Sequence, residues 1–341
     1  MERTKSMHQS QYEARQHERD GAIVYELNDA RHKAVAEIMP EAGNNAISYS
    51  WRDIQVLSPP PNAAAFRDDL GARTLYGTPI LFPPNRIKGG TYIFNGNRYQ
   101  LPINEPPHHH LHGELLQRAW SVTDYGASNE HGAYVTGRIE LAAHADIMDY
   151  FPHKLTFDVT HRLYEGRLLM EATISNHGKQ SAPFAFGLHP YFHLPPEKET
   201  SVQLTVPARE EWPVTNEAFV TGLPSRSALA EKLNDGEGIS LRDYQELGCS
   251  LVTLADGERV SRIYMKESGY RIAYETDRSF PFLVLFKPDW SSAFSLEPYT
   301  YVTDAFNLPY DAGLTGSRGI EPGEVVQLRT AMWVELLCNG E

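Results

Sequence analysis

Four short segments set polar, titratable side chains among glycine, proline and aromatic residues. They are Phe82–Gly90 (FPPNRIKGG), His108–Gly113 (HHHLHG), Phe186–Leu194 (FGLHPYFHL) and Ser295–Asn307 (SLEPYTYVTDAFN). The densest, HHHLHG, puts four histidines into six residues and raises a metal site first. Adjacent side chains of an extended chain point to opposite faces, so His108, His109 and His110 do not converge on one ion. His110 and His112 share a face, but neither has a cysteine or a close carboxylate at zinc spacing. A catalytic zinc site needs three protein ligands and an open position. No metal is expected, and His108 and His109 read as solvated loop residues.

The other three segments offer acid–base chemistry. His189 lies between Leu188 and Pro190 in an aromatic run with Phe184, Phe186, Tyr191 and Phe192. It is either a satisfied core histidine or a general acid, because an imidazole titrates near neutral pH. Glu297 sits between Leu296 and Pro298, with no positive charge among its immediate neighbours. An apolar, aromatic setting disfavours the carboxylate and raises its pKa toward the range of a general base. The alternative is an exposed glutamate at a strand end. Arg86, with Asn85 beside it, carries multi-donor groups suited to sugar hydroxyls, or else stabilises a turn. Lys88-Gly89-Gly90 runs in the wrong direction for a phosphate loop of the P-loop type.

These segments must be held by strands. Asn95-Gly96 between TYIF (Thr91–Phe94) and RYQL (Arg98–Leu101) is a strong hairpin signal, since both residues tolerate positive φ. A second hairpin alternates Leu155, Phe157, Val159, His161 and Leu163 with polar residues. It turns at Glu165-Gly166 and alternates again through Leu168, Met170, Ala172 and Ile174. Further strands are expected at Leu251–Leu254, Tyr270–Tyr274, Phe282–Phe286 and Val325–Leu336, the last long enough to bridge a sheet. One short helix is expected at Arg226–Leu233. The first twenty residues are polar and read as frayed or briefly helical. Many short strands, turn punctuation and no low-complexity linker predict an all-β fold, a large antiparallel β-sandwich.

The 341 residues are compatible with one large all-β domain, expected over 21–341 behind a polar extension at 1–20. The net charge of −13 argues against nucleic acid and anionic membrane partners, which need clustered positive charge. No apolar run approaches the ~20 residues of a membrane span, and the N-terminus has no apolar stretch of a secretory signal. Cys249 and Cys338 make no disulfide framework, so a cytoplasmic location is the default expectation.

Taken together, the segments resemble the aldose 1-epimerase (galactose mutarotase) family. The resemblance rests on PNRIKGGTYIFNGNRYQLPIN (Pro84–Asn104), LHG (Leu111–Gly113), GLHPYFHL (Gly187–Leu194) and LEPYTYVTDAFN (Leu296–Asn307), and it spans about residues 45–337. It implies a β-supersandwich that interconverts the α and β anomers of free aldoses, with a monosaccharide as partner and no metal or organic cofactor. By the family pattern His189 is the general acid, Glu297 the general base, and Arg86, Asn85 and His112 bind the sugar. The family's sugar-binding aspartate falls on Asp243 in SLRDYQEL or on its rival Asp235. The histidines before LHG depart from the pattern and leave His110 as an extra sugar contact or a neighbour. Alternative activities are a hexose-6-phosphate 1-epimerase drawing on Arg86, Lys88 and Lys287, a non-catalytic carbohydrate-binding protein, or a glycoside hydrolase using two carboxylates.

Overall fold

The turns that the sequence marks most sharply are present in the computed structural model, which describes residues 10–194, 201–244, 249–288 and 291–337. Asn95 and Gly96 sit at φ 48° and 76°, and Glu165 and Gly166 at 49° and 70°. Two successive left-handed residues match the twist of the strands they join. The first pair joins Thr91–Phe94 to Asn97–Gln100, and the second joins Leu155–Tyr164 to Arg167–Asn176.

The second hairpin lies within a nine-stranded antiparallel sheet. Its order is Ser121–Ser128, Gly132–Glu140, Leu155–Tyr164, Arg167–Asn176, Val325–Leu336, Tyr270–Thr276, Val260–Met265, Val202–Thr205 and Ile239–Ser240. Val325–Leu336 bridges the hairpin to the strands beyond it, as its length predicted. Leu155, Phe157, Val159, His161 and Leu163 are all buried. Between them Asp158 and Arg162 turn outward and meet Arg138 at 2.7 Å and Glu171 at 3.2 Å.

A seven-stranded sheet faces this one. Its order is Ala208–Trp212, Ser250–Leu254, Phe282–Phe286, Ala293–Tyr299, Gly187–Leu188 and Ile80–Leu81, with Tyr191–His193 also paired to Ala293–Tyr299. Leu283, Leu285, Phe294 and Leu296 share a core with Ile272, Tyr274 and Met332 of the nine-stranded sheet. The opposite face carries Trp212, Leu251, Phe282, Val284 and Tyr299 in a second core. Burial on both faces is why FLVLF at Phe282–Phe286 reads as a continuous apolar run rather than an alternation. The result is the expected antiparallel β-sandwich.

The N-terminal reading needs correction. Tyr12–Arg19 is neither frayed nor helical; it is the edge strand of a five-stranded sheet, paired along its length with Ala22–Asp29. Its outer face is held by ion pairs, Arg15 to Glu26 at 2.8 Å and Arg19 to Glu37, rather than by apolar side chains. Tyr12 alone in the strand is buried, so no apolar alternation announces it. The predicted helix at Arg226–Leu233 is found at Ala228–Asn234, capped by Ser227, whose Oγ accepts from the Ala230 N–H at 3.0 Å. Among the described residues four further α-helices, Ala63–Asp68, Ala145–Tyr150, Leu241–Tyr244 and Ala312–Thr315, went unpredicted because four to six residues show no helical period. No helix among the described residues is long and apolar enough to cross a membrane.

Candidate active site

Glu297 is not at a strand end. It lies inside Ala293–Tyr299, flanked on one side by Phe282–Phe286 and on the other by Gly187–Leu188 and Tyr191–His193. Every second residue of a strand shares a face, so Ser295, Glu297 and Tyr299 line one side while Phe294 and Leu296 enter the core. Glu297 is 2% exposed. Burial pushes its carboxyl up to about 8, although the Tyr299 hydroxyl and the nearby Arg86 charge partly oppose the rise. The Tyr299 hydroxyl donates to Oε2. Oε1 is turned to His189 Nε2 at 3.2 Å.

His189 connects Gly187–Leu188 to Tyr191–His193, with its backbone N–H bonded to the Pro79 carbonyl at 3.0 Å. Its ring stacks on Tyr191 at 4.4 Å between centroids. Burial holds the imidazole down at about 3. Hydrogen-bond accounting fixes its tautomer. Ser295 Oγ donates its only proton to the Pro190 carbonyl at 2.8 Å, so at 2.9 Å from His189 Nδ1 it accepts. Nδ1 therefore carries a hydrogen. Nε2 meets Glu297 Oε1 and, at 3.3 Å, the Tyr191 hydroxyl, which donates to the Thr74 carbonyl. Both neighbours present oxygen lone pairs to Nε2, and a single proton lies between Nε2 and Oε1.

The NRI and LHG segments form the adjoining wall. Arg86–Lys88 pairs with His109–Leu111. Asn85 and His112 stand beyond the ends of those strands at φ 56° and 60°. The Asn85 N–H donates to His112 Nδ1 at 3.2 Å, and the Asn85 carbonyl accepts from the His112 N–H at 2.9 Å. Burial, with His189, Arg86 and His110 nearby, holds the His112 pKa well below its ordinary value. The ring is thus neutral, its Nδ1 accepts, and its hydrogen sits on Nε2. Gly113 allows this approach: a Cβ there would lie 1.9 Å from the Phe82 carbonyl oxygen. Arg86 holds Glu105 through two contacts, 2.8 and 2.6 Å, and its Nη1 donates to the Glu217 carbonyl at 3.1 Å.

His189, Glu297, Asn85, Arg86 and His112 line one cleft together with Tyr191, Phe286, Asn216 and Cys249. Asp235 stands apart from it. Its Oδ1 accepts from the Glu237 and Gly238 N–H groups at the end of Ala228–Asn234. Asp243 is carried by Leu241–Tyr244, and its side chain lies outside the described residues, as does Cys338. His110 is buried, with Nδ1 2.7 Å from the Pro102 carbonyl, and lines an apolar cavity with Phe82, Ile87 and Phe151 instead of the cleft. His109 is not a loop residue: it belongs to the strand His109–Leu111 and packs on Phe219. Ser295 and Tyr299, which hydrogen-bond His189 and Glu297, escaped the sequence reading, although S-x-E-x-Y in a strand places all three side chains on one face. Asn216 and Cys249 come from distant segments and had no local signature.

A family model for aldose 1-epimerase matches residues 24–333. The chain is 26% identical over 304 residues to the "uncharacterized protein YphB" of Escherichia coli K12, covering 84% of this chain and 91% of that one. A galactose mutarotase-like protein of Clostridium acetobutylicum has the same fold, with TM-score 0.85, 19% identity, and 95% and 98% of the two chains covered. The galactose 1-epimerase of Lactobacillus acidophilus superposes with TM-score 0.73 at 16% identity, covering 97% and 100%. At these identities the two structures speak to fold alone.

Proposed function

The chain belongs to the aldose 1-epimerase family, and from that premise we propose that it interconverts the α and β anomers of a free aldose by opening and reclosing the sugar ring. The observation that carries this reading is the buried contact between His189 Nε2 and Glu297 Oε1 at 3.2 Å. Mutarotation takes a proton from the anomeric hydroxyl and delivers one to the ring oxygen. A sugar with its anomeric hydroxyl at Oε1 and its ring oxygen at Nε2 separates the pair and bridges it. Glu297, as carboxylate, takes the hydroxyl proton. The C1–O5 bond breaks, C1=O1 forms, and His189 gives its Nε2 proton to O5. Rotation about C1–C2 presents the other aldehyde face, and reclosure returns both protons. The two ends of the cycle are the two positions of the one proton the pair already holds, so no exchange with solvent is required. Each transfer typically contributes about 10²–10⁴ in rate. Ser295 and Tyr299 orient the two groups. Arg86, Asn85 and the His112 Nε2–H hold ring hydroxyls.

A phosphorylated substrate would need an uncommitted cation. Arg86 already holds Glu105 at two points, the Lys287 ammonium donates to the Pro288 and Ser291 carbonyls at 3.1 and 3.0 Å, and the exposed Lys88 is not among the residues lining the cleft. A glycosidase would need a second carboxylate beside Glu297; among the described residues lining the cleft, Glu297 is the one carboxylate, and its close partner is His189. Both points support a free sugar. Polarimetry on freshly dissolved α-glucose, α-galactose and glucose 6-phosphate tests it. The expected outcome is faster relaxation of at least one free sugar than of the phosphate, and faster relaxation of the phosphate alone would contradict it.

A further inference from the structure

A small hairpin turns over the cleft, and the proton-transfer chemistry does not use it. Its tip, Thr215 to Phe219, is closed by the Thr215 N–H to the Phe219 carbonyl at 2.9 Å and by the bridge between Val214 and Val220. Two of its residues, Asn216 and Ala218, line the cleft. Arg86 and His109 approach the tip at three points. Arg86 Nη1 donates to the Glu217 carbonyl at 3.1 Å. His109 Nε2 lies 3.9 Å from Glu217 Oε1. The His109 ring meets Phe219 edge-on at 5.0 Å between centroids. His109 thus has a place in the HHHLHG run: it faces the hairpin, whereas His110 faces an apolar cavity.

Asn216 is an exposed residue of the tip at the border of the cleft. The Asn216 side chain has no hydrogen-bond partner among the described residues, at either its oxygen or its nitrogen. The adjoining wall is poorer in free acceptors. His112 offers an N–H, Arg86 offers only N–H groups, and Asn85 commits its oxygen to the Arg86 N–H at 2.9 Å. Glu297 has an accepting oxygen, but the proposed reaction occupies it. A pyranose presents hydroxyls that both donate and accept, and adjacent hydroxyls match the two ends of one carboxamide. We propose that Asn216 is a specificity-determining sugar contact, reading a ring hydroxyl away from the anomeric centre, and that His109 is the positioning residue that holds it there. The proposal rests on the mutarotase reading and adds the group that tells one epimer from another.

The experiment compares wild type, Asn216→Ala, His109→Ala and His109→Phe on glucose, galactose, mannose and their 2-deoxy and 4-deoxy analogues. Polarimetry reads the rates and isothermal titration reads binding of the same sugars. Loss of one neutral hydrogen bond corresponds to about 3- to 10-fold. Asn216→Ala should lower kcat/KM by that factor for sugars bearing the hydroxyl in one configuration. It should leave the epimer or deoxy analogue lacking it within about twofold. His109→Ala should shift the same epimer ratio in the same direction, and His109→Phe, which keeps the contact with Phe219, should restore it. A uniform loss across the panel, or no change, overturns the specificity role while leaving the mutarotase reading standing. A wild-type chain that neither mutarotates nor binds any of these sugars overturns both.

Discussion

At the scale of single residues, the proposed chemistry turns on one proton shared by two buried groups, Glu297 and His189. Glu297, pushed up to about 8, and His189, held down at about 3, titrate as a pair that keeps one proton between those limits. The proposed reaction uses the pair with one proton: these values rest that proton on Glu297, and ring opening as proposed starts from the arrangement that has it on His189 Nε2. Below about 3 both groups are protonated and there is no base. Above about 8 the pair has lost its proton and nothing protonates the ring oxygen. kcat/KM should therefore be level from mildly acidic to neutral pH and fall tenfold per unit well above pH 8. A rate that keeps climbing past pH 9 would contradict the pairing. The raised carboxyl is legible in the amino-acid order itself, because Glu297 stands between a leucine and a proline in an aromatic run with no nearby positive charge. The partner was legible only through the family pattern: His189 stands over a hundred positions earlier, and local reading left it between core residue and acid. The sugar-binding aspartate was the least legible, since the letters around Asp243 are degenerate, and the structure places its rival Asp235 in a turn outside the cleft.

At the scale of elements, what the sequence states well is what local chemistry decides. Asn-Gly and Glu-Gly supply two left-handed residues in a row, and both hairpins follow. Phe282–Phe286 and Val325–Leu336 appear within the bounds read from their apolar and alternating patterns. What fails is what only a partner strand decides. Tyr12–Arg19 is held by cross-strand arginine–glutamate pairs, which in one dimension look like a solvated polar tail. LHG is an intermediate case. Gly113 combines φ 71° with a backbone approach that no side chain tolerates, and it sets His112 against Asn85. Gly113→Ala should cost roughly 1–3 kcal/mol from the left-handed backbone alone, with the clash against Phe82 adding to it. Thermal unfolding should show a lower Tm, and sugar affinity should fall with it as His112 is displaced. An unchanged Tm would mean that the close approach to Phe82 is not a constraint.

At the scale of the whole molecule, the sandwich explains why Glu297 and His189 are buried yet border a cleft. The seven-stranded sheet buries one face against the nine-stranded sheet; on the other, Glu297 reaches a cleft walled by segments from distant parts of the chain, while Ser295 and Tyr299 beside it stay buried. Strand geometry fixes the proposed base through its period-two neighbours, while the proposed acid and sugar contacts arrive from four separate segments, at Asn85-Arg86, His112, His189 and Asn216. The measurement that bears most directly on the central claim is anomer exchange followed by NMR on an equilibrated free aldose, with wild type set beside Glu297→Gln and His189→Asn. The account predicts catalysed exchange in the wild type and a loss of about 10²-fold or more in each variant, with the fold intact by circular dichroism. Exchange at wild-type rate in either variant would contradict it.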